Sequence, residues 1–132
     1  MRHDAVSTVL FADDDPEVRR PVATMLARNG YHVVEAADGA EAVAVAIREA
    51  PALALLDVRM PRTNDIEALR KLRAEPATRD IVAIMMTAHP ETLADPSNAI
   101  DDLGISDLMH KPFGLDDLLA IVDRVTTGDQ TG

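Results

Sequence analysis

Leu53-Ala54-Leu55-Leu56-Asp57 is the stretch on which the architecture turns. Four apolar residues run without a polar interruption and end on an acid. A strand with one wet face alternates, whereas a strand covered on both faces reads as a continuous apolar run. Such a strand needs a helix on each side of it, and the neighbouring sequence supplies both. Upstream, Val43, Ala46 and Ile47 mark a helix, with Asp38-Gly39 as the turn before it. Downstream, Ile66, Leu69 and Leu72 recur at helical spacing.

The same alternation extends to both ends of the chain. Thr8 to Ala12 is a short apolar run ending in acids, followed by a helical stripe at Val18, Val22, Met25 and Leu26 that Gly30 stops. Pro21 falls inside that helix, near its first turn or just past it, and should cost a hydrogen bond or a slight kink. His32 to Ala36 predicts a second strand, and Ile81 to Met86 another doubly buried one. Ala99, Ile100 and Leu103 mark a fourth helix stopped by Gly104, and Leu108-Met109 lie in a short fifth strand. Leu115, Leu118, Leu119, Val122 and Val125 form the last stripe. Five β-then-α units in a row predict an α/β fold: a parallel sheet with helices on both faces. For five strands the expected form is the flavodoxin-like doubly wound (βα)5 arrangement, strand order 2-1-3-4-5. Residues 1–5 and the polar stretch 126–132 are expected to be tails on a single domain spanning 6–125.

Composition narrows the function. The chain has 132 residues, with 13 Lys and Arg against 23 Asp and Glu, a net charge of −10. That balance argues against direct nucleic-acid binding by this chain, because neutralising phosphates requires a basic face. With no cysteine, disulfides, thiolate zinc sites and cysteine nucleophiles are excluded. No apolar run approaches the roughly 18 residues of a membrane span, so the expected location is the cytoplasm, with no membrane partner. Phe11, Tyr31 and Phe113 are the only aromatics, too few for a flavin-stacking platform.

In an open α/β sheet ligands bind outside the carboxyl ends of the strands. Strand one ends in Asp13-Asp14-Asp15, strand three in Asp57, strand four in Thr87, and strand five just before Lys111-Pro112. Strands one and three are neighbours in the expected order, so their carboxylates converge. Acids in one crevice repel, and a hard dication is the usual compensation; Mg2+ suits a set of one or two carboxylates, waters and a substrate phosphate. A carboxylate can itself be a nucleophile, giving an aspartyl phosphate, and Asp57 on the central strand is the natural candidate. Lys111 adds a cation to the rim and Thr87 a hydroxyl. Each residue alone has a plain structural reading. Asp13 to Asp15 before Pro16 could be no more than a helix N-terminus. Asp57 could be a loop acid, Thr87 a cap, and Lys111 a solvated lysine. The weight lies in all of them falling at strand ends drawn independently from periodicity.

Val9-Leu10-Phe11-Ala12-Asp13-Asp14-Asp15-Pro16, Leu55-Leu56-Asp57-Val58-Arg59-Met60-Pro61, Met86-Thr87-Ala88 and Lys111-Pro112-Phe113 together resemble the receiver domain of two-component response regulators, from about Val6 to Val125. The resemblance implies that Asp57 is the phosphoacceptor. It implies that Asp14 binds Mg2+ directly with Asp57, that Asp13 acts mainly through water, and that the backbone carbonyl of Arg59 completes the protein ligands. Thr87 is implied as the switch hydroxyl and Lys111 as the phosphoryl contact, with the Lys111–Pro112 peptide cis. The implied partners are a histidine kinase or histidine phosphotransfer protein and a downstream protein effector; a homodimer is implied as well, since the family often dimerises on phosphorylation. The implied activity is signalling, limited to the domain's own phosphorylation and dephosphorylation, not turnover of an external substrate.

Three departures from the family pattern stand out, all on the output side. Leu108 occupies the place of the usual aromatic three residues before the lysine. The stretch from Thr87 to Lys111 is slightly longer than usual and carries Pro90 and Pro96, predicting an irregular or late start to its helix. Arg62 and Asp65 stand where glycines usually flank the loop after Pro61.

Other function classes fit less well. An aspartate-nucleophile phosphatase needs a second aspartate two residues on as general acid, and Arg59 is there instead. A flavodoxin-type electron carrier needs a Ser/Thr/Gly-rich phosphate loop after strand one, and Asp13 to Asp15 in that place would repel the phosphate. A degenerate receiver working as a phosphorylation-independent binding module is the remaining alternative. His3, His32, His89 and His110 lack metal-ligand spacing, although His89 lies beside the site. Met85 and Met86 read as core, and Asp116, Asp117 and Asp123 as a solvated acidic face.

Overall fold

The computed structural model describes residues 7–58, 64–87, 104–110 and 113–126. The strands are β1 (Thr8–Ala12), β2 (His32–Ala36), β3 (Leu53–Val58), β4 (Val82–Thr87) and β5 (Ile105–His110). They form one parallel sheet in the order β2-β1-β3-β4-β5. The described helices are α1 (Pro16–Arg28), α2 (Gly39–Glu49), α3 (Asn64–Ala74) and α4 (Leu115–Thr126). The helical stripe expected at Ala99, Ile100 and Leu103 lies outside the described residues, as do residues 1–5 and the tail beyond Thr126.

The central strand behaves as its continuous apolar run requires. Leu53 and Leu55 face one side of the sheet, with Val9, Phe11, Ile84, Met86 and Met109; this layer packs against Val22 and Leu26 of α1 and Leu118 and Val122 of α4. Ala54 and Leu56 face the other, with Leu10, Ala12, Ala83 and Met85, against Ala42, Val45 and Ala46 of α2 and Leu69 and Leu72 of α3. Met85 and Met86 are both fully buried, as core residues.

Several element details differ from the sequence reading. β4 runs one residue later than Ile81 to Met86, and β5 is longer than Leu108-Met109, reaching from Ile105 to His110. On α2, Ile47 is exposed, and the buried face is Ala42, Val45 and Ala46. The small alanines form the buried face of the helix, which turns Ile47 outward. Leu115 is likewise exposed, because it opens α4 rather than sitting on its packed face. Pro21 is within α1 on its exposed side, and the helix continues through it.

Two buried or half-buried polar contacts join distant parts of the chain. Arg73 near the end of α3 donates to the carbonyls of Arg79, Ile81 and Gly104 at 2.9, 2.6 and 3.2 Å, tying α3 to the segments that open β4 and β5. Partial burial holds its guanidinium pKa below the ordinary value, against the attraction of Asp80. Tyr31, just before β2, donates its hydroxyl to the Asp123 carboxylate of α4 and lies 3.0 Å from the Thr126 hydroxyl. Asp123 is therefore more than part of a solvated face.

Desolvation and the Asp123 carboxylate both raise the Tyr31 pKa above its ordinary 10.0. The fold thus favours the neutral phenol. Its contribution is fully present below the unfolded pKa and is lost as pH rises through the higher folded value. Tyr31 is the single tyrosine and there is no tryptophan, so phenolate absorbance reports this one group. The titration midpoint is expected above 10.0 in the native protein and to move down towards it in Asp123→Ala. An unshifted native midpoint would remove the contact from the solution structure.

Candidate functional site

The site grows from two strand ends that the sheet order places side by side. Ala12 of β1 is paired with Leu56 of β3, so Asp13 and Asp57, each one residue further on, are level. Asp13 is 2% exposed and Asp57 4% exposed, while Asp14 reaches solvent. One carboxylate oxygen from each of Asp13, Asp14 and Asp57 lies within 4.8 Å of the others. This is the crevice between β1 and β3, the switch point of the sheet: the helix after β1 covers one face and the helix before β3 the other.

The acid run serves two purposes at once. Asp15 is the N-cap of α1, its carboxylate accepting from the Glu17 N–H at 2.9 Å, with Pro16 at the first helical position. The helix-start reading therefore holds for Asp15 and Pro16. Asp13 and Asp14 lie upstream of that cap and face the crevice with Asp57. The Asp13 carboxylate also accepts from the Asp15 N–H at 2.9 Å, a tight turn that aligns the run.

Thr87 ends β4 and is fully buried, paired with Val58, one rung beyond Asp57. On its other side it pairs with His110, the residue before Lys111. Leu108, opposite Met85, is 38% exposed on β5. Arg59, Lys111 and Pro112 lie outside the described residues, as do Met60, Pro61, Arg62, His89, Pro90 and Pro96; the Asp65 side chain does too. His32 and His110 are exposed on opposite edge strands of the sheet, which rules out a shared metal between them.

Two residues given no role by the sequence reading border the acids. Arg19 on α1 donates Nη1 to the Asp13 carbonyl at 2.7 Å and Nε to the Glu35 carboxylate of β2 at 2.9 Å. Their only advance signal is an arginine one turn into the helix that follows the acid run.

The donor set is chemically uniform: three carboxylates, no nitrogen and no sulfur. Oxygen-only, anionic and close-set ligands suit a hard divalent cation such as Mg2+.

Comparison with known proteins agrees with this geometry. The model of the response regulator receiver domain family matches residues 9–123. The chain belongs to that family. This receiver domain is 37% identical over 112 residues to the response regulator MprA of Mycobacterium leprae, covering 85% of this chain and 47% of that protein. It spans about half the length of the curated relatives it matches. The chemotaxis protein CheY4 of Vibrio cholerae has a similar structure, with TM-score 0.80 at 30% identity, over 92% of this chain and 99% of that one. The receiver domain of the sensor histidine kinase PA1611 from Pseudomonas aeruginosa aligns with TM-score 0.76 at 32% identity, over 91% and 97% of the two chains. That structure has a magnesium ion coordinated in its active-site cleft. The receiver fold, the strand order and the acidic pocket of Asp13, Asp14 and Asp57 thus belong together here. Among the described residues no helix is long and apolar enough to cross a membrane.

Proposed function

We propose that this receiver domain, residues 6–125, accepts a phosphoryl group on Asp57 from a histidine kinase or histidine phosphotransfer protein in the cytoplasm. The observation that carries the reading is the level placement of Asp57 with Asp13 across the β1–β3 crevice, with Asp14 completing a three-carboxylate cluster. In the transfer, an Asp57 carboxylate oxygen forms a bond to phosphorus as the phosphorus–nitrogen bond of the donor phosphohistidine breaks. The electron pair of that bond stays on the imidazole nitrogen, and with the proton already carried by the other ring nitrogen the donor histidine leaves as neutral imidazole. Loss of the group by water attack on the acyl phosphate regenerates the Asp57 carboxylate and releases inorganic phosphate.

Mg2+ would be held by Asp13, partly through water, by Asp14 and Asp57, and by the Arg59 backbone carbonyl. When bound it supplies positive charge against the transferring oxygens. Burial of Asp57 limits water access to the acyl phosphate. Thr87 is the hydroxyl that turns towards the phosphoryl group, and Lys111, next to a cis bond with Pro112, contacts one of its oxygens. Leu108 stands where family members carry the aromatic that follows the threonine, so output to the downstream effector takes a route without that ring. A homodimer is among the outputs this reading allows.

Intact-mass measurement after incubation with acetyl phosphate, with and without Mg2+, tests the reading. A phosphoryl adduct that requires Mg2+ is the expected result. No adduct, together with no response to beryllofluoride, would replace the reading with a phosphorylation-independent binding module.

A further inference from the structure

Each peptide plane along the acid run has its own hydrogen-bond partner. The plane between Ala12 and Asp13 is held through the Asp13 N–H, which donates to the Ala36 carbonyl of β2 at 3.1 Å. The plane between Asp14 and Asp15 is held through the Asp15 N–H and the Asp13 carboxylate. The middle plane joins Asp13 to Asp14, and therefore sets the direction of one acid's side chain relative to the other. Its carbonyl accepts from Arg19 Nη1 at 2.7 Å. This is a charge-assisted contact from a side chain that is only 15% exposed. Arg19 is in turn fixed by the Glu35 carboxylate at 2.9 Å, so that α1, the end of β1 and β2 are joined through one guanidinium.

We infer that Arg19 is a positioning residue for the divalent cation: it fixes the Asp13–Asp14 peptide plane, and so the mutual aim of the two carboxylates, without touching the ion. The inference rests on the proposed Mg2+ site and adds to it a supporting residue on a different element. Outer contacts that orient ligands typically alter metal affinity by about 10–100-fold when removed. The sign separates this role from simple electrostatics. Removing a positive charge from beside an acidic cluster, taken alone, should tighten binding of a cation. Losing the hold on the peptide plane should weaken it.

The test is Mg2+ affinity by isothermal titration calorimetry on the full chain, for the parent, Arg19→Ala and Arg19→Lys, with thermal melts of each in chelator. Arg19→Ala is expected to bind Mg2+ roughly tenfold more weakly, with Arg19→Lys between it and the parent because an ammonium still donates to the carbonyl. Equal or tighter binding by a folded Arg19→Ala overturns the inference while leaving the Mg2+ site in place. No binding by the parent overturns both. If Arg19→Ala does not fold, the folded Arg19→Lys decides: unchanged affinity there overturns the inference, and a weakened one supports it. Glu35→Ala checks the same clamp from its other end, with a smaller loss expected because the Asp13 carbonyl keeps its donor.

Discussion

Asp57→Asn is expected to lose all phosphoryl acceptance and, in the absence of divalent cations, to be more stable than the parent. The first effect follows from chemistry: a neutral amide oxygen is a poor nucleophile towards phosphorus, and no other carboxylate occupies its place on the central strand. The second follows from electrostatics. Three carboxylates have ligand oxygens within 4.8 Å of one another, and two unit charges at that range repel by about 3 kcal/mol at an effective dielectric of ~20. The partners these acids already have offset part of that repulsion, leaving an expected gain of roughly 1–2 kcal/mol when the buried member becomes neutral. In thermal melts with chelator the midpoint should rise by roughly 5 °C. Added Mg2+ should then stabilise the parent and do little for the variant, since a ligand stabilises only the state that binds it. A variant that melts below the parent in chelator would show that the acids are balanced within the fold without any cation.

Leu55→Ala and Leu56→Ala are each expected to destabilise the domain by about 2–5 kcal/mol, through lost burial and the cavity left behind. Both side chains are fully buried on β3, yet they belong to opposite layers, one under α1 and α4 and the other under α2 and α3. A domain's total stability is typically about 5–15 kcal/mol, so either change removes a large share of it. The two residues are consecutive on one strand but their side chains pack in opposite layers, so a double-mutant cycle should show a coupling at the small end of the range for neighbours, about 0.5–1 kcal/mol, as long as the double variant still folds. Urea denaturation of the four proteins measures this. Strong coupling between them would mean that the two layers relax together across the sheet backbone.

What could be read from the sequence follows from how each feature is encoded. Strands buried on both faces write themselves as uninterrupted apolar runs, so β1, β3 and β4 were visible; strict alternation with helices made the sheet parallel, and the order came from the doubly wound form that five strands favour. The acids of the site were visible because they terminate those runs. Helix orientation was less legible: on α2, two alanines and a valine competed with Ile47, and hydrophobicity alone favoured the larger residue for the core. Arg19 with Glu35, and Tyr31 with Asp123, were not visible at all. They meet across separations of 16 and 92 residues, and no local pattern records such a contact. Asp15 was legible only as one of two alternatives, and the fold uses both, assigning the cap to Asp15 and the cluster to its two predecessors.

The pairing of β4 with β5 skips a residue. Ala83 lies beside Ile105 and Ile84 beside Asp107, so Ser106 has no opposite number. β5 is an outermost strand, whose free margin is otherwise an open template for a foreign backbone. An extra residue bends the strand and breaks the regular spacing of its outward N–H and C=O groups. A second chain that tried to lengthen the sheet at this margin would find its ladder out of step after one or two rungs. The irregularity makes this margin a poorer template for edge-to-edge pairing than a regular strand would be, and favours association on this side through side chains.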